Sequence, residues 1–497
     1  MKTRLAMTSA LRGALTCMIL LLLAPCAQAA ERLAVGLTFL TSGLDPAEGS
    51  VGWALVSHGL GEKLFTVGRD GRVVGQLAES AQQMDDGSWR IRLRPDRFFS
   101  DGARVDAAAT VTALQRTTER NAGARATIGR IAFATIDERT LRVTSERPTT
   151  VMPSVLAEWQ FVIYKLAGDK PIFTGAWAVG DFRPGERLEL IPNGHVAGER
   201  APIVIRRFAD AQSMALALRG GELDMAFNLP GESLGMLRAA PNLVVKSFPV
   251  AYQYLAWLNV RRGPLADLRV RQAVAMAIDR RSLATAIGAG EPTVSAFSRE
   301  YPFASMDEAP PPDLARAAAL LDESGWRRGA DGARTKDGRR LSLSLWAYPQ
   351  RADLVTMQPV LRAQLAALGI AAETRIAENA NDLARRGEFD ILLWAQHTAP
   401  AADPAFFLNL FLRTSAANNY SGWSSASFDA TLDRLNRSAD EQERIDLARA
   451  AQRIAREDAA AIFLLTPAWY VGLSQRLRDY EPWGSDYFII RADMAGR

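Results

Sequence analysis

The sequence predicts an α/β protein built from more than one domain. Three observations carry this. The chain has 497 residues, more than one hydrophobic core ordinarily organises. Its first half is rich in period-two strand patterns, and the part after Asn259 alternates amphipathic helices with buried strands. Its composition, 48% hydrophobic and 23% charged, is that of a globular chain without low-complexity tracts.

Residues 1–29 are expected to be a leader outside the fold. Lys2, Arg4 and Arg12 precede an apolar run at 14–24, and Ala27-Gln28-Ala29 is a small-x-small cleavage pattern. The run is too short to span a bilayer stably, so export to the periplasm is expected. Cys26 has a lipoprotein-like context that Pro25 spoils. Both cysteines, Cys17 and Cys26, fall in the leader. The exported chain therefore carries no disulfide, thiol nucleophile or thiolate metal site. Without the three leader bases it has 56 basic and 55 acidic residues, a balance that does not suit nucleic acid.

Along the chain, Leu33, Val35 and Leu37 alternate as in a strand. Trp89, Ile91 and Leu93 form a half-buried strand after the Asp86-Gly87 turn. Asp106 can cap a helix through AAATVTALQRT, and a strand follows from Arg139. Leu188, Leu190, Ile203 and Ile205 fit sheet positions. Asp210 caps a helix ending at Gly220-Gly221, and LDMAFNLP is a short buried strand. Beyond Asn259, LRVRQAVAMAIDRRSLATAI after Asp267 reads as one helix, followed by ARAAALLDESGW and by VLRAQLAALGI, which Gly369 closes. FDILLWA is a buried strand, ERIDLARAAQRIARE an amphipathic helix, and AAAIFLLTPAWYVGLS a final strand.

Enzyme signatures are missing: there is no Gly-x-Ser-x-Gly, no His-Glu-x-x-His and no P-loop. Gly59-Leu60-Gly61 lacks the third glycine of a dinucleotide loop and precedes a strand. The three histidines, His58, His195 and His397, have no ligand spacing, so neither a metal nor a cofactor is expected. Aromatic residues close to predicted loops are the better clue: Trp53, Trp159, Tyr252, Tyr254, Trp394, Tyr420 and Trp423. Aromatics with few charges suit an apolar pocket with sparse polar anchors.

A series of segments in fixed order resembles the extracytoplasmic solute-binding proteins of the peptide/nickel family of ABC importers. They are LDPAEG (44–49), GEKLFTVGRDGRVVGQLAES (61–80), DDGSWRIRLRPDRFFSDG (85–102), FTGAWAVGDFRPGERLEL (173–190), GPLADLRVRQAVAMAIDRRSL (263–283), ADPAFFLNLF and NNYSGWSSASFDATLDRL. The resemblance spans nearly the whole exported chain. It implies a two-lobed periplasmic binding fold with a hinged cleft: lobe I from 30–60, 166–255 and 470–497, an additional small α+β domain at 61–165, and lobe II at 256–469. It also implies a monomer that captures an oligopeptide-like solute between the lobes, performs no chemistry on it, and delivers it to permease and ATPase subunits.

In peptide-binding relatives an aspartate shortly after a tryptophan pairs with the peptide amine. Three residues after Trp394 this chain has His397, and Asp403 belongs to an Asp-Pro turn. Nickel-binding relatives place an arginine in the segment matching VLAEWQFVIYK, where this chain has Glu158, Trp159 and Gln160. The resemblance thus leaves the ligand open between a peptide and a solute without a free amine, such as a metal–chelator complex or modified peptide. The expected lining is Trp53, Trp159, Trp394 and His397, followed by Tyr252, Tyr254, Asp403, Tyr420 and Trp423. An exported hydrolase using convergent carboxylates, and a chaperone or sensor using the same cleft, are the competing readings.

Overall fold

The computed structural model describes residues 32–125, 128–147 and 149–494; the expected leader lies outside them. Two large mixed sheets organise the chain. In the first, seven strands run in the order Trp177–Arg183, Arg187–Pro192, Ile203–Arg207, Leu33–Leu37, Met225–Phe227, Ala468–Ser474, Leu243–Pro249. Leu33–Leu37 lies parallel to both Ile203–Arg207 and Met225–Phe227, with the helix Ala211–Arg219 crossing between those two. Asp210 caps this helix, accepting from the Ser213 amide at 2.7 Å.

The second sheet has six strands, in the order Glu291–Pro292, Ala461–Thr466, Tyr252–Leu258, Ile391–His397, Ser342–Ala347, Ala371–Ile376. Tyr252–Leu258 and Ile391–His397 are buried along nearly their whole length, as continuous apolar runs require. A four-stranded sheet formed by Ala78–Gln83, Trp89–Leu93, Ile131–Asp137 and Thr140–Ser145 packs with the helix Ala107–Arg120 around its own core, which includes Ile91, Leu114 and Leu141. Trp89, Ile91 and Leu93 point inward while Arg90 and Arg92 face water, as the alternation predicts. Asp106 accepts from the Ala109 amide at 2.7 Å. Asp106→Ala is expected to lower stability by about 1 kcal/mol, read as a small fall in Tm.

Two elements differ from the sequence reading. The helix after Asp267 is two helices, Leu268–Ala277 and Arg280–Ile287. Ile278 is extended, and Asp279 caps the second helix by accepting from the Arg281 and Ser282 amides at 3.0 and 3.4 Å. The last apolar run is two strands in different sheets. Pro467 breaks it, because proline has no N–H to continue a ladder.

That break shows how the sheets are joined. One strand pair, Leu243–Pro249 with Ala468–Ser474, belongs to the seven-stranded sheet. Its continuation, Tyr252–Leu258 with Ala461–Thr466, belongs to the six-stranded sheet. The chain passes between sheets at 250–251 and at 467, and the Val250 amide donates to the Pro467 carbonyl at 3.3 Å. The expected boundaries after 255 and 469 both fall inside strands.

Candidate binding site

A cavity of about 390 Å³ lies between the two large sheets. From the seven-stranded side come Phe39, Ser50, Trp53 and Tyr487, joined by Trp159. Trp53 projects from the short helix Val51–Ser57 and stacks on Phe39, ring centroids 4.6 Å apart. Gly52 lets this helix approach the turn Trp159–Phe161: a Cβ there would lie 2.7 Å from the Trp159 carbonyl oxygen. The absence of that side chain brings the two tryptophans to one wall.

The opposite wall grows from the six-stranded sheet. Period two sends Trp394 and Gln396 into the cavity and His397 away from it. Trp394 packs between Tyr348 and Tyr420, centroids 5.6 and 5.2 Å away, and its indole N–H donates to Gln396 Oε1 at 3.1 Å. The Tyr348 hydroxyl accepts from the Ala395 amide at 3.1 Å. Asn379, Asn381 and Asn418 add amide groups.

The floor is an ion pair between the two sides. Arg351 precedes the helix Ala352–Ala367, and its Nη2 donates to Asp486 Oδ2 at 2.7 Å. Asp486 is fully buried and Arg351 only 9% exposed. The Tyr252 hydroxyl donates to Asp486 Oδ1 at 2.8 Å, and Trp53 Nε1 lies 3.4 Å from the same oxygen. The guanidinium also covers the rings of Tyr252 and Trp469, 5.1 and 4.9 Å from their centroids. Burial works against the charge of Arg351, but Asp486, Tyr252 and Tyr348 outweigh it and hold its pKa above the usual arginine value.

Trp53, Trp159, Tyr252, Trp394 and Tyr420 therefore meet in one cavity. Four other expected residues do not. Tyr254 is fully buried, its hydroxyl donating to Asp353 at 2.6 Å and accepting from Trp469 Nε1 at 3.0 Å. Trp423 packs edge-on to Phe428, with its N–H on Asp458 at 3.1 Å. His397 and Asp403 line a second cavity of about 860 Å³. The rings of Tyr252 and Tyr487 back onto His397, 5.4 and 4.8 Å away, and separate it from the first cavity. Burial, helped by the Lys63 charge, pushes His397 down to about 3, so it stays neutral. Asp403 caps the Ala405 amide at 2.8 Å and pairs with buried Arg444. Asp403→Ala is expected to lower Tm, because it leaves Arg444 buried without its carboxylate, and to leave solute affinity within about twofold. Thermal denaturation beside calorimetric titration checks both.

The sequence reading missed Arg351, Asp486, Tyr348 and Tyr487. Their signals were local: WAYPQR places an aromatic and an arginine between a strand and a helix, and WGSDYF follows the last strand. Nothing local indicates that these two segments, 135 residues apart, meet.

A cavity walled by two sheets, with the chain crossing between them at adjacent points, defines a two-lobed binding protein of the periplasmic type. The sequence signature of bacterial extracellular solute-binding proteins, family 5, matches residues 72–419, and the chain belongs to that family. The glutathione-binding protein GsiB of Escherichia coli O1:K1 / APEC is 27% identical over 378 residues, 71% of this chain and 70% of the relative. Two solved structures share the fold. NikA from Staphylococcus aureus with Ni(L-His)2 superposes with TM-score 0.84 at 19% identity, over 94% of this chain and 100% of that one. DppA from Helicobacter pylori with peptide STSA gives 0.80 at 21% identity, over 92% and 97%. Among the described residues, no helix is long and apolar enough to cross a membrane.

Proposed function

We propose that the chain is the periplasmic solute-binding component of an ABC importer. It captures an oligopeptide-like solute in the cavity between its lobes and presents it to permease and ATPase subunits. The observation that carries this reading is the cavity itself: both lobes wall it, aromatic faces dominate it, and amide groups at its rim can hydrogen-bond a peptide backbone. The reading is non-enzymatic, because the solute is released unchanged. It treats the chain as a monomer and assigns it no nucleic-acid partner.

We take residues 32–60, 166–250 and 468–494 as lobe I, 61–165 as the small domain and 251–467 as lobe II. The crossings at 250–251 and 467 then serve as the hinge, and closure is favoured by contacts the solute makes with both lobes.

The test uses Trp159, which is half-buried and so removable at small cost to the core. Trp159→Ala is expected to weaken peptide binding at least about tenfold, with little change in the Tm of the empty protein. Trp394 is 7% exposed and packed between two tyrosines, so Trp394→Ala is expected to lower both. Unchanged affinity in the Trp159 variant, by calorimetry, would remove this cavity as the site.

The second reading is a metal–chelator complex or a modified peptide without a free amine. On the cavity face the residue beyond Trp394 is Gln396 and not a carboxylate, which favours it. Stabilisation by nickel only in the presence of histidine would select it.

A further inference from the structure

The described residues lining the cavity include one cation, Arg351, and its charge is already answered. Asp486 takes it at 2.7 Å, and Tyr252 and Trp469 lie against the guanidinium. Asp353 stands behind the same arginine, held by the Tyr254 hydroxyl at 2.6 Å. The other charge in the lining is Glu378, which is exposed and has no ion-pair partner among the described residues. Neighbouring cations are also engaged. Arg385, near Tyr420, pairs with Asp382 at 2.8 Å, and buried Lys63 faces the charge of buried Glu158.

We propose that this cavity selects solutes carrying no net negative charge, admitting neutral and cationic molecules and rejecting anions. The proposal rests on the cavity being the solute site. An entering carboxylate loses water against aromatic walls, finds no unpaired cation, and meets the field of Glu378. An ammonium or guanidinium meets aromatic faces and that same carboxylate. Neutral solutes are served by the Asn381 and Asn418 side-chain amides. Glutathione, with two carboxylates and one amine, falls on the rejected side, as does an EDTA chelate of net negative charge. Arg351 thereby acts as a neutralised brace between lobes and not as an anion receptor.

The test is calorimetric titration of the tetrapeptide Ala-Phe-Phe-Ala in three forms: free amine with C-terminal amide, zwitterion, and N-acetylated free acid. Glutathione and Fe(III)-EDTA accompany them. The amide is expected to bind at least tenfold tighter than the acetylated acid, and neither glutathione nor Fe(III)-EDTA to bind at millimolar concentration. Asp486→Asn, which releases the charge of Arg351, is expected to improve the acetylated acid at least tenfold relative to the amide. Glu378→Gln, at an exposed position that leaves the fold intact, is expected to narrow the amide's advantage. Binding of the acid, glutathione or Fe(III)-EDTA as tightly as the amide overturns the proposal, as does an order unmoved in both variants. A matched panel of neutral, cationic and anionic sugars and amines separates the two readings. Cationic or neutral non-peptides binding alone would end the peptide reading and keep the charge rule. Tight anionic peptides would do the reverse.

Discussion

Asp486→Ala is expected to destabilise the empty protein more than any other single change in the cavity wall. Its carboxylate is fully buried and holds three groups: the Arg351 guanidinium, the Tyr252 hydroxyl and, at longer range, the Trp53 indole. Removing one partner of a buried ion pair leaves the other charge desolvated and costs about 3–5 kcal/mol. For a unit of lobe size that corresponds to a fall in Tm of roughly 2–4 °C per kcal/mol. The double variant Arg351→Met, Asp486→Leu removes both charges together and is expected to recover most of the loss, since paired removal leaves no orphan. Scanning calorimetry on the two variants and the parent decides the matter. A single variant as stable as the double would show that Arg351 reaches water and that the pair does not brace the lobes.

The second large effect is sensitivity to acid. His58 and His397 are both buried, and burial pushes each from the ordinary 6.5 down to about 3, with the Lys63 charge adding to the effect on His397. Among the described residues neither imidazole has a hydrogen-bond partner at Nδ1. His58 Nε2 accepts from the Thr41 amide at 3.3 Å, which suits a neutral ring. Between about pH 3 and 6.5 the unfolded chain binds two protons at these positions that the folded chain does not. Stability therefore rises with pH across this window and is lost on acidification. Asp353 works in the opposite direction. Burial raises it from 3.8 to about 6, although the Tyr254 hydroxyl and Arg351 favour its charged form. Between those values the folded state holds one extra proton, which offsets one histidine. For these three groups the loss is about 1.4 kcal/mol per pH unit between pH 6 and 4, and it is shallower above pH 6, where the unfolded histidines are only partly protonated. Melting curves at successive pH values are expected to show this decline, and His58→Gln and His397→Gln are each expected to flatten it. His58 and His397 imidazole signals titrating near 6.5 by NMR, with a flat melting profile, would contradict it.

Much of the fold was legible because its signals are local. Alternation at Trp89, Ile91 and Leu93, caps at Asp106 and Asp210, and the stop at Gly369 each depend on a few neighbouring residues. The split at Asp279 was missed because the apolar spacing continues through it, while the cap competes with the helix at one residue. The change of sheet at Pro467 was missed because both flanking strands are apolar.

The site was legible only in part, for a different reason. Trp53, Trp159, Tyr252, Trp394 and Tyr420 were found as aromatics near strand ends, and they do line one cavity. Tyr254 and Trp423 have the same local signature, yet their polar atoms are taken up by Asp353 and Asp458 inside the lobes. His397 was chosen by its distance from Trp394. Three residues along a strand reverse the facing, so the two side chains entered different cavities. Arg351 and Asp486 are distant in sequence, and their partnership exists only once both lobes are in place.

The most direct test of the central claim, a solute held between the lobes in the aromatic cavity, is native mass spectrometry. The exported chain, purified gently from a bacterial periplasm, would be compared with its Trp53→Ala, Trp159→Ala double variant. The account predicts a single adduct on the parent that fragments as a peptide and is lost from a double variant that remains folded. An adduct retained undiminished by the double variant would contradict it, because the solute would then sit elsewhere.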